Sequence, residues 1–121
     1  MRRAEIWWAD LPPPSGRRPV VLLSRDEAYA VRELVTVAPV TSRIRGLAVE
    51  VPLGRAEGMQ KACVANLDTI QTIAKARLRT RIAYLPYAKR VALNDAIRMA
   101  LGLDEEPWGP PRKLEPGPPA A

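Results

Sequence analysis

Short apolar runs alternate with turn signals along most of the chain, and they predict strands before anything else. Glu5–Ala9 (EIWWA) reads as a first strand, and Pro19–Leu23 (PVVLL), apolar and rich in β-branched residues, as a central one. Pro12-Pro13-Pro14-Ser15-Gly16 between them reads as a stiff loop. Leu34–Val40 (LVTVAPV) predicts a further strand, with Pro39 marking an edge or an end because proline offers no N–H to a ladder. Leu47–Val51 alternates, which sets Leu47, Val49 and Val51 inward and Glu50 outward. Cys63–Leu67, Ile70–Ile73 and Arg81–Leu85 complete the strand set. Ser24 and Glu27 have capping-box spacing and predict a short helical turn through Tyr29.

The period then becomes helical. Leu93, Ala96, Ile97, Ala100 and Leu101 form one apolar stripe, with Arg90, Asn94, Asp95 and Arg98 on the other face. Pro86 suits the start of that helix and Gly102 its end. Short strands followed by one helix predict a mainly β chain with a C-terminal helix, a small curled antiparallel barrel capped by the helix. From Asp104 onward (DEEPWGPPRKLEPGPPAA) the chain carries six of its 13 prolines and no apolar period. Proline stops both helix and ladder, so residues 1–103 form the predicted domain and 104–121 an extended, mobile appendage.

Composition narrows the chemistry. A chain of 121 residues is one domain in size, and 47% apolar with 26% charged residues excludes disorder throughout. With no Phe, three Trp and three Tyr, the core has to come from Val, Leu, Ile and Ala. Cys63 is the one cysteine, which excludes an intrachain disulfide framework and a multi-Cys zinc site; it reads as a small buried hydrophobe. The absence of histidine removes the usual general acid–base of nucleases and every His-ligated metal, and no cofactor is expected. No apolar run approaches bilayer length, and MRRAEIWW lacks the apolar stretch of a signal peptide; a cytoplasmic protein with no membrane partner is expected. The net charge is +6, yet residues 1–103 hold 17 basic and 9 acidic side chains, a net of +8, while the tail is acidic. A domain this basic favours a polyanion or an acidic protein segment as partner.

Three segments carry candidate chemistry. Arg17-Arg18-Pro19 puts two guanidiniums on a rigid corner where paired N–H donors can clamp a phosphate. Pro39–Gly46 (PVTSRIRG) sends two hydroxyls and two cations from one strand end, donors and charge for phosphate oxygens. Asn66–Thr72 (NLDTIQT), if extended, offers Asn66, Asp68 and Gln71 to base edges. Each also has an ordinary reading as a solvated turn or sheet face. The basic run Lys75–Arg81 has no interleaved aromatics and is no stacking platform. Trp7 and Trp8 should point to opposite faces, one into the core and one toward an interface.

Taken together and in order, MRRAEIWWADLPPP, RRPVVLLSRD, VAPVTSRIRGLAVEVPL, VANLDTIQTI and a closing helix ending ALGL resemble the MazF/PemK family, the toxin halves of bacterial toxin–antitoxin modules. The resemblance covers residues 2–103. It implies an SH3-like small barrel of the CcdB/PemK type, a homodimer, and metal-independent, sequence-selective cleavage of single-stranded RNA. It also implies neutralisation by an acidic, partly disordered antitoxin. Carried over by motif, Arg18 and Thr41 are the catalytic pair, and Arg17, Ser42, Arg43 and Gln71 line the same RNA groove, with Asp68 beside them as a substrate-binding candidate. The sequence departs from the family pattern in its short Pro12–Gly16 loop, in Thr69 where glutamine is frequent, in Ala74 where aspartate is common, in Ala4 after the basic pair where glycine is usual, and in Pro86 where a serine cap is usual. The implied reaction is attack by the RNA 2′-hydroxyl, leaving 2′,3′-cyclic phosphate and 5′-hydroxyl ends. In it Arg18 stabilises charge on the phosphorane and Thr41 fixes the phosphate. The base is left open between Asp68, Glu50 and solvent. The alternative is the non-catalytic, gyrase-binding function of the CcdB branch.

Overall fold

The computed structural model describes residues 1–105. They form seven strands and two α-helices in the order β1 (Glu5–Asp10), β2 (Arg17–Leu22), α1 (Ala28–Val31), β3 (Leu34–Thr41), β4 (Glu50–Leu53), β5 (Cys63–Asn66), β6 (Gln71–Ala74), β7 (Leu78–Tyr84) and α2 (Tyr87–Leu101). Single 3-10 turns occupy Arg55–Glu57, Leu67–Thr69 and Lys75–Arg77. The appendage expected at the C-terminus lies, from Glu106 on and with Trp108, outside the described residues.

Every pairing is antiparallel. The strand order is β4-β5-β3-β2-β1-β7, with β6 also on β3. β3 is the pivot. It pairs with β6 through residues 34–37, with β2 through 37–39 and with β5 through 40–41. A strand that changes partners along its length bends the sheet into a half-barrel, within the curled antiparallel architecture expected from the sequence, and α2 closes one side of it.

The near-continuous apolar runs of β2 and β3 follow from burial on both faces. Val21, Ala38 and Val40 face one cluster with Leu85 and with Leu93 and Ala96 of α2. Val20, Leu22, Val35 and Val37 face a second with Ile73, Leu78 and Tyr29. Each fully buried aliphatic side chain contributes roughly 1.5–3 kcal/mol. In α2 the stripe sits as its period requires: Leu93 and Ala96 are buried, Ile97 and Ala100 lie against them, and Leu101 leaves the core. Pro86 precedes the helix, and Gly102, at φ +64°, ends it in the left-handed turn that glycine accepts without strain. No helix of the described residues is long and apolar enough to cross a membrane.

Three local expectations are corrected. Pro39 does not mark an edge, since β3 is the strand with the most partners, though its pairing with β2 does end there. The alternation over Leu47–Val51 does not hold: Leu47 is exposed, Val49 is half-buried, and the strand begins only at Glu50, which is buried. Its Oε1 accepts from the backbone N–H groups of Arg45 (3.0 Å), Gly46 (2.9 Å) and Leu47 (3.3 Å), so the carboxylate turns inward to close the preceding loop. Ser24 forms no capping box. Its Oγ accepts from the Thr36 N–H at 2.8 Å, tying the segment to β3, and α1 starts at Glu27 without a side-chain cap.

Candidate functional site

The β2–β3 ladder stops at Val20 opposite Pro39. The next position sets Pro19 opposite Val40, and Pro19 has no N–H to give the Val40 carbonyl. Two steps beyond the last pair, the same register brings Arg18 opposite Thr41. Here the strands part, and β3 goes on to pair with β5 from Val40.

The gap opens into two adjoining chambers, and Arg18 and Thr41 line both. The larger, about 440 Å³, adds Arg17, Ser42, Gln60 and Lys61 above a floor that includes Val40, Met59 and Ile82. The smaller, about 140 Å³, adds Arg43, Arg45, Asn66 and Thr69. No carboxylate lines either chamber, and Arg17, Arg18, Arg43, Arg45 and Lys61 make their walls cationic. A further cavity, about 350 Å³ between α1, β3 and the end of α2, is lined in part by Arg3, Arg25 and Arg32 and contains none of the candidate residues.

Arg18 is half-buried, and its Nε is buried without a hydrogen-bond partner among the described residues. A guanidinium carries five donors, and an unsatisfied buried one costs free energy until an acceptor arrives. Thr41 Oγ1 accepts from the Arg43 N–H at 3.1 Å, which leaves its own O–H free to donate toward the gap. The same bond starts the loop that presents Ser42, Arg43 and Arg45, and Glu50 closes that loop from behind. Arg17 is partly neutralised by Asp10, 3.5 Å away. A hydrogen bond from Arg79 holds the Asp10 carboxyl below its ordinary value, helped by the charges of Arg17 and Arg77.

Five of the seven residues singled out from the sequence therefore meet at one gap: Arg18 and Thr41 in both chambers, Arg17 and Ser42 in the larger, Arg43 in the smaller. Asp68 and Gln71 do not. Asn66–Thr72 is not one extended run, because Asn66 Oδ1 accepts from the Asp68 N–H and winds Leu67–Thr69 into a 3-10 turn between β5 and β6. That turn carries Asn66 and Thr69 into the smaller chamber and leaves Asp68 exposed outside it; Gln71 pairs with Val37 away from both. Of the candidate bases, Glu50 is committed to backbone donors. The basic run is engaged elsewhere, Lys75 on the Tyr29 carbonyl, Arg77 and Arg79 on Asp10 and Arg81 on Glu5. Burial raises the Cys63 thiol, with the Glu57 charge adding to it, as fits its place under the larger chamber.

Comparison with known proteins decides the lineage. A family model described as PemK-like, MazF-like toxin of type II toxin–antitoxin system matches residues 2–101. The chain belongs to the MazF/PemK toxin family. Among its MazF relatives, Endoribonuclease MazF3 of Mycobacterium tuberculosis is 40% identical over 87 residues, covering 72% of this chain and 84% of that protein. Probable endoribonuclease MazF5 of the same organism is 37% identical over 100 residues, covering 82% and 91%. Among solved structures, the Mycobacterium tuberculosis toxin MazF-mt6 superposes with a TM-score of 0.76 at 37% identity, covering 81% of this chain and 96% of that one. An endoribonuclease in complex with its cognate antitoxin, from a mycobacterial species, gives 0.76 at 25% identity, covering 90% and 99%. Against this MazF/PemK background, Gln60 and Lys61 are the cleft residues that sequence reasoning missed. The available signal was a polar pair just after Gly58, whose φ of +87° marks a turn, and just before the buried strand β5.

Proposed function

We propose that this toxin is a metal-independent endoribonuclease that cuts single-stranded RNA selectively, and that Arg18 and Thr41 are its catalytic pair. The observation that carries the reading is the pair itself: a half-buried guanidinium with an unsatisfied Nε, opposite a hydroxyl with a free donor, at the boundary of two cationic chambers. Family membership supports the nuclease class, and relatives that bear the name endoribonuclease support the substrate. The chain has no histidine, and among the described residues no three His, Cys, Asp or Glu side chains gather as metal ligands.

In this reading the 2′-hydroxyl of the RNA attacks the adjacent phosphorus. The new 2′-O–P bond forms as the P–O5′ bond breaks, leaving a 2′,3′-cyclic phosphate and a 5′-hydroxyl. Arg18 stabilises the charge that grows on the phosphorane oxygens, and removing one such donor typically costs ~10²–10³ in rate. Thr41 donates to a non-bridging oxygen and holds the phosphate in line. Water in the open cleft takes the 2′-hydroxyl proton, since neither chamber has a carboxylate on its wall, and the leaving O5′ takes a proton from the Arg18 guanidinium, which solvent then restores. Arg17, Ser42 and Arg43 hold flanking phosphates. The partners in this reading are an acidic antitoxin, which competes for the same cations, and a second copy of the chain in a homodimer; both protein and substrate reside in the cytoplasm. Purified protein should cut single-stranded RNA in EDTA to cyclic-phosphate ends, and Arg18→Ala or Thr41→Val should stop cutting with the fold intact. Wild-type rates in both variants reject the assignment, and gyrase-dependent DNA breaks with uncut RNA point to the CcdB type of action.

A further inference from the structure

Two chambers that share a wall need not hold the same part of a substrate. If a phosphate sits between Arg18 and Thr41, the nucleotides joined at it extend to either side. The smaller chamber, about 140 Å³ and walled by Arg43 and Arg45, suits a second phosphate. The larger, about 440 Å³, lies in the range of pockets that enclose an organic group. Its floor is apolar, with Pro19, Val40, Met59 and Ile82. Such a floor gives a phosphate nothing and a flat ring much. Trp8 stands at its edge with 37% of its surface exposed, while its neighbour Trp7 packs on the second core cluster. Single-stranded RNA is read by stacking splayed bases on aromatic rings and hydrogen-bonding their edges.

Resting on the nuclease reading above, we infer that the larger chamber is a nucleobase pocket for a nucleotide joined at the scissile phosphate. Trp8 stacks the base, and Lys61 and Gln60 read its edge. Both are exposed, line the chamber, and form no hydrogen bond or ion pair with another described residue. Lysine offers only donors, and the Gln60 amide beside it offers a carbonyl acceptor. That pair fits keto bases, guanine or uracil, whose edges set a carbonyl oxygen beside an imino N–H; adenine and cytosine set an amine donor at the position that the lysine faces.

The test is cleavage of an RNA pool randomised around the cut, with ends sequenced, using the full chain and its Lys61→Glu variant. Wild type should show guanine or uracil at one position next to the cut, and Lys61→Glu should move that position toward adenine and cytosine by about tenfold. Adenine or cytosine preferred by wild type there, or a preference that Lys61→Glu leaves unchanged, overturns the pocket. Wild type that cuts nothing overturns the nuclease reading itself. A variant too slow to map is covered by binding to uncleavable RNA with a 2′-deoxy sugar at the scissile nucleotide. Guanine and uracil should bind about tenfold tighter than adenine and cytosine, and Trp8→Leu should weaken binding about tenfold. Equal binding of all four bases overturns the inference.

Discussion

Replacing Glu50 by alanine removes one acceptor from three backbone N–H groups at once. Two of those bonds are well formed, at 2.9 and 3.0 Å, and the third is long at 3.3 Å. A hydrogen bond to a charged group contributes roughly 1.5–3 kcal/mol, partly offset here by the cost of burying a carboxylate. The net loss for Glu50→Ala should be about 3 kcal/mol, or roughly 12 °C in Tm for a domain of this size. The Arg45 and Gly46 amides would lose their anchor, and Arg43 and Arg45 their placement over the smaller chamber. Cleavage of a short RNA well below the new Tm should then fall about tenfold or more, chiefly through KM, because Arg43 and Arg45 hold a flanking phosphate in this reading, not the reacting one. Glu50→Gln keeps the Oε1 acceptor and loses only charge; it should cost about 1 kcal/mol and leave cleavage within about threefold. A glutamine variant as inactive as Arg18→Ala would make Glu50 the proton acceptor and refute its role as a latch. An alanine variant that melts with wild type would refute the energetics.

Three further outcomes follow from the core. Ala4 sits at φ +73° and is buried. Ala4→Gly relieves about 1 kcal/mol of left-handed strain but loses a buried methyl worth about 0.8, so chemical denaturation should put it within about 1 kcal/mol of wild type; a loss above about 2 contradicts this balance. Burial pushes the Tyr29 hydroxyl up to about 12. The unfolded chain releases that proton near 10, so stability relative to Tyr29→Phe should be level below about pH 10 and fall as pH rises toward 12; urea midpoints measured from pH 8 to 11.5 that stay parallel for the two proteins exclude it. Leu93 is fully buried between α2 and the sheet, and Leu93→Ala should cost about 3 kcal/mol by urea denaturation, with a cost under 1 showing that the helix contributes little to the core.

Much of the fold was legible because β2 and β3 are buried on both faces, and a run such as Pro19–Leu23 has no helical alternative at that length. The helix was legible because its stripe faces one core. What failed was local chemistry decided by distant partners. Ser24 looked like a helix cap, but its hydroxyl serves an amide 12 residues away. Glu50 looked solvent-facing by alternation, but the strand begins at that residue, and three loop amides satisfy its charge better than water reaches it. Which polar side chains between Asn66 and Thr72 line the gap was not legible, because adjacent positions in a polar stretch are indistinguishable until the 3-10 turn at Leu67–Thr69 sets their phase. Arg18 and Thr41 could be paired from motif resemblance, whereas Gln60 and Lys61 have no periodic neighbour to mark them.

Pro19 works by what it withholds. Were it to carry an N–H, β2 and β3 could zip past position 20 and close the gap between Arg18 and Thr41. On the proposed site, restoring that one missing donor would disarm the toxin while Arg18 and Thr41 themselves stay unchanged. The gap also belongs to the central strands rather than to the surrounding loops, so on the proposed function loop exchange would retune which sequence is cut without remaking the place where Arg18 meets Thr41.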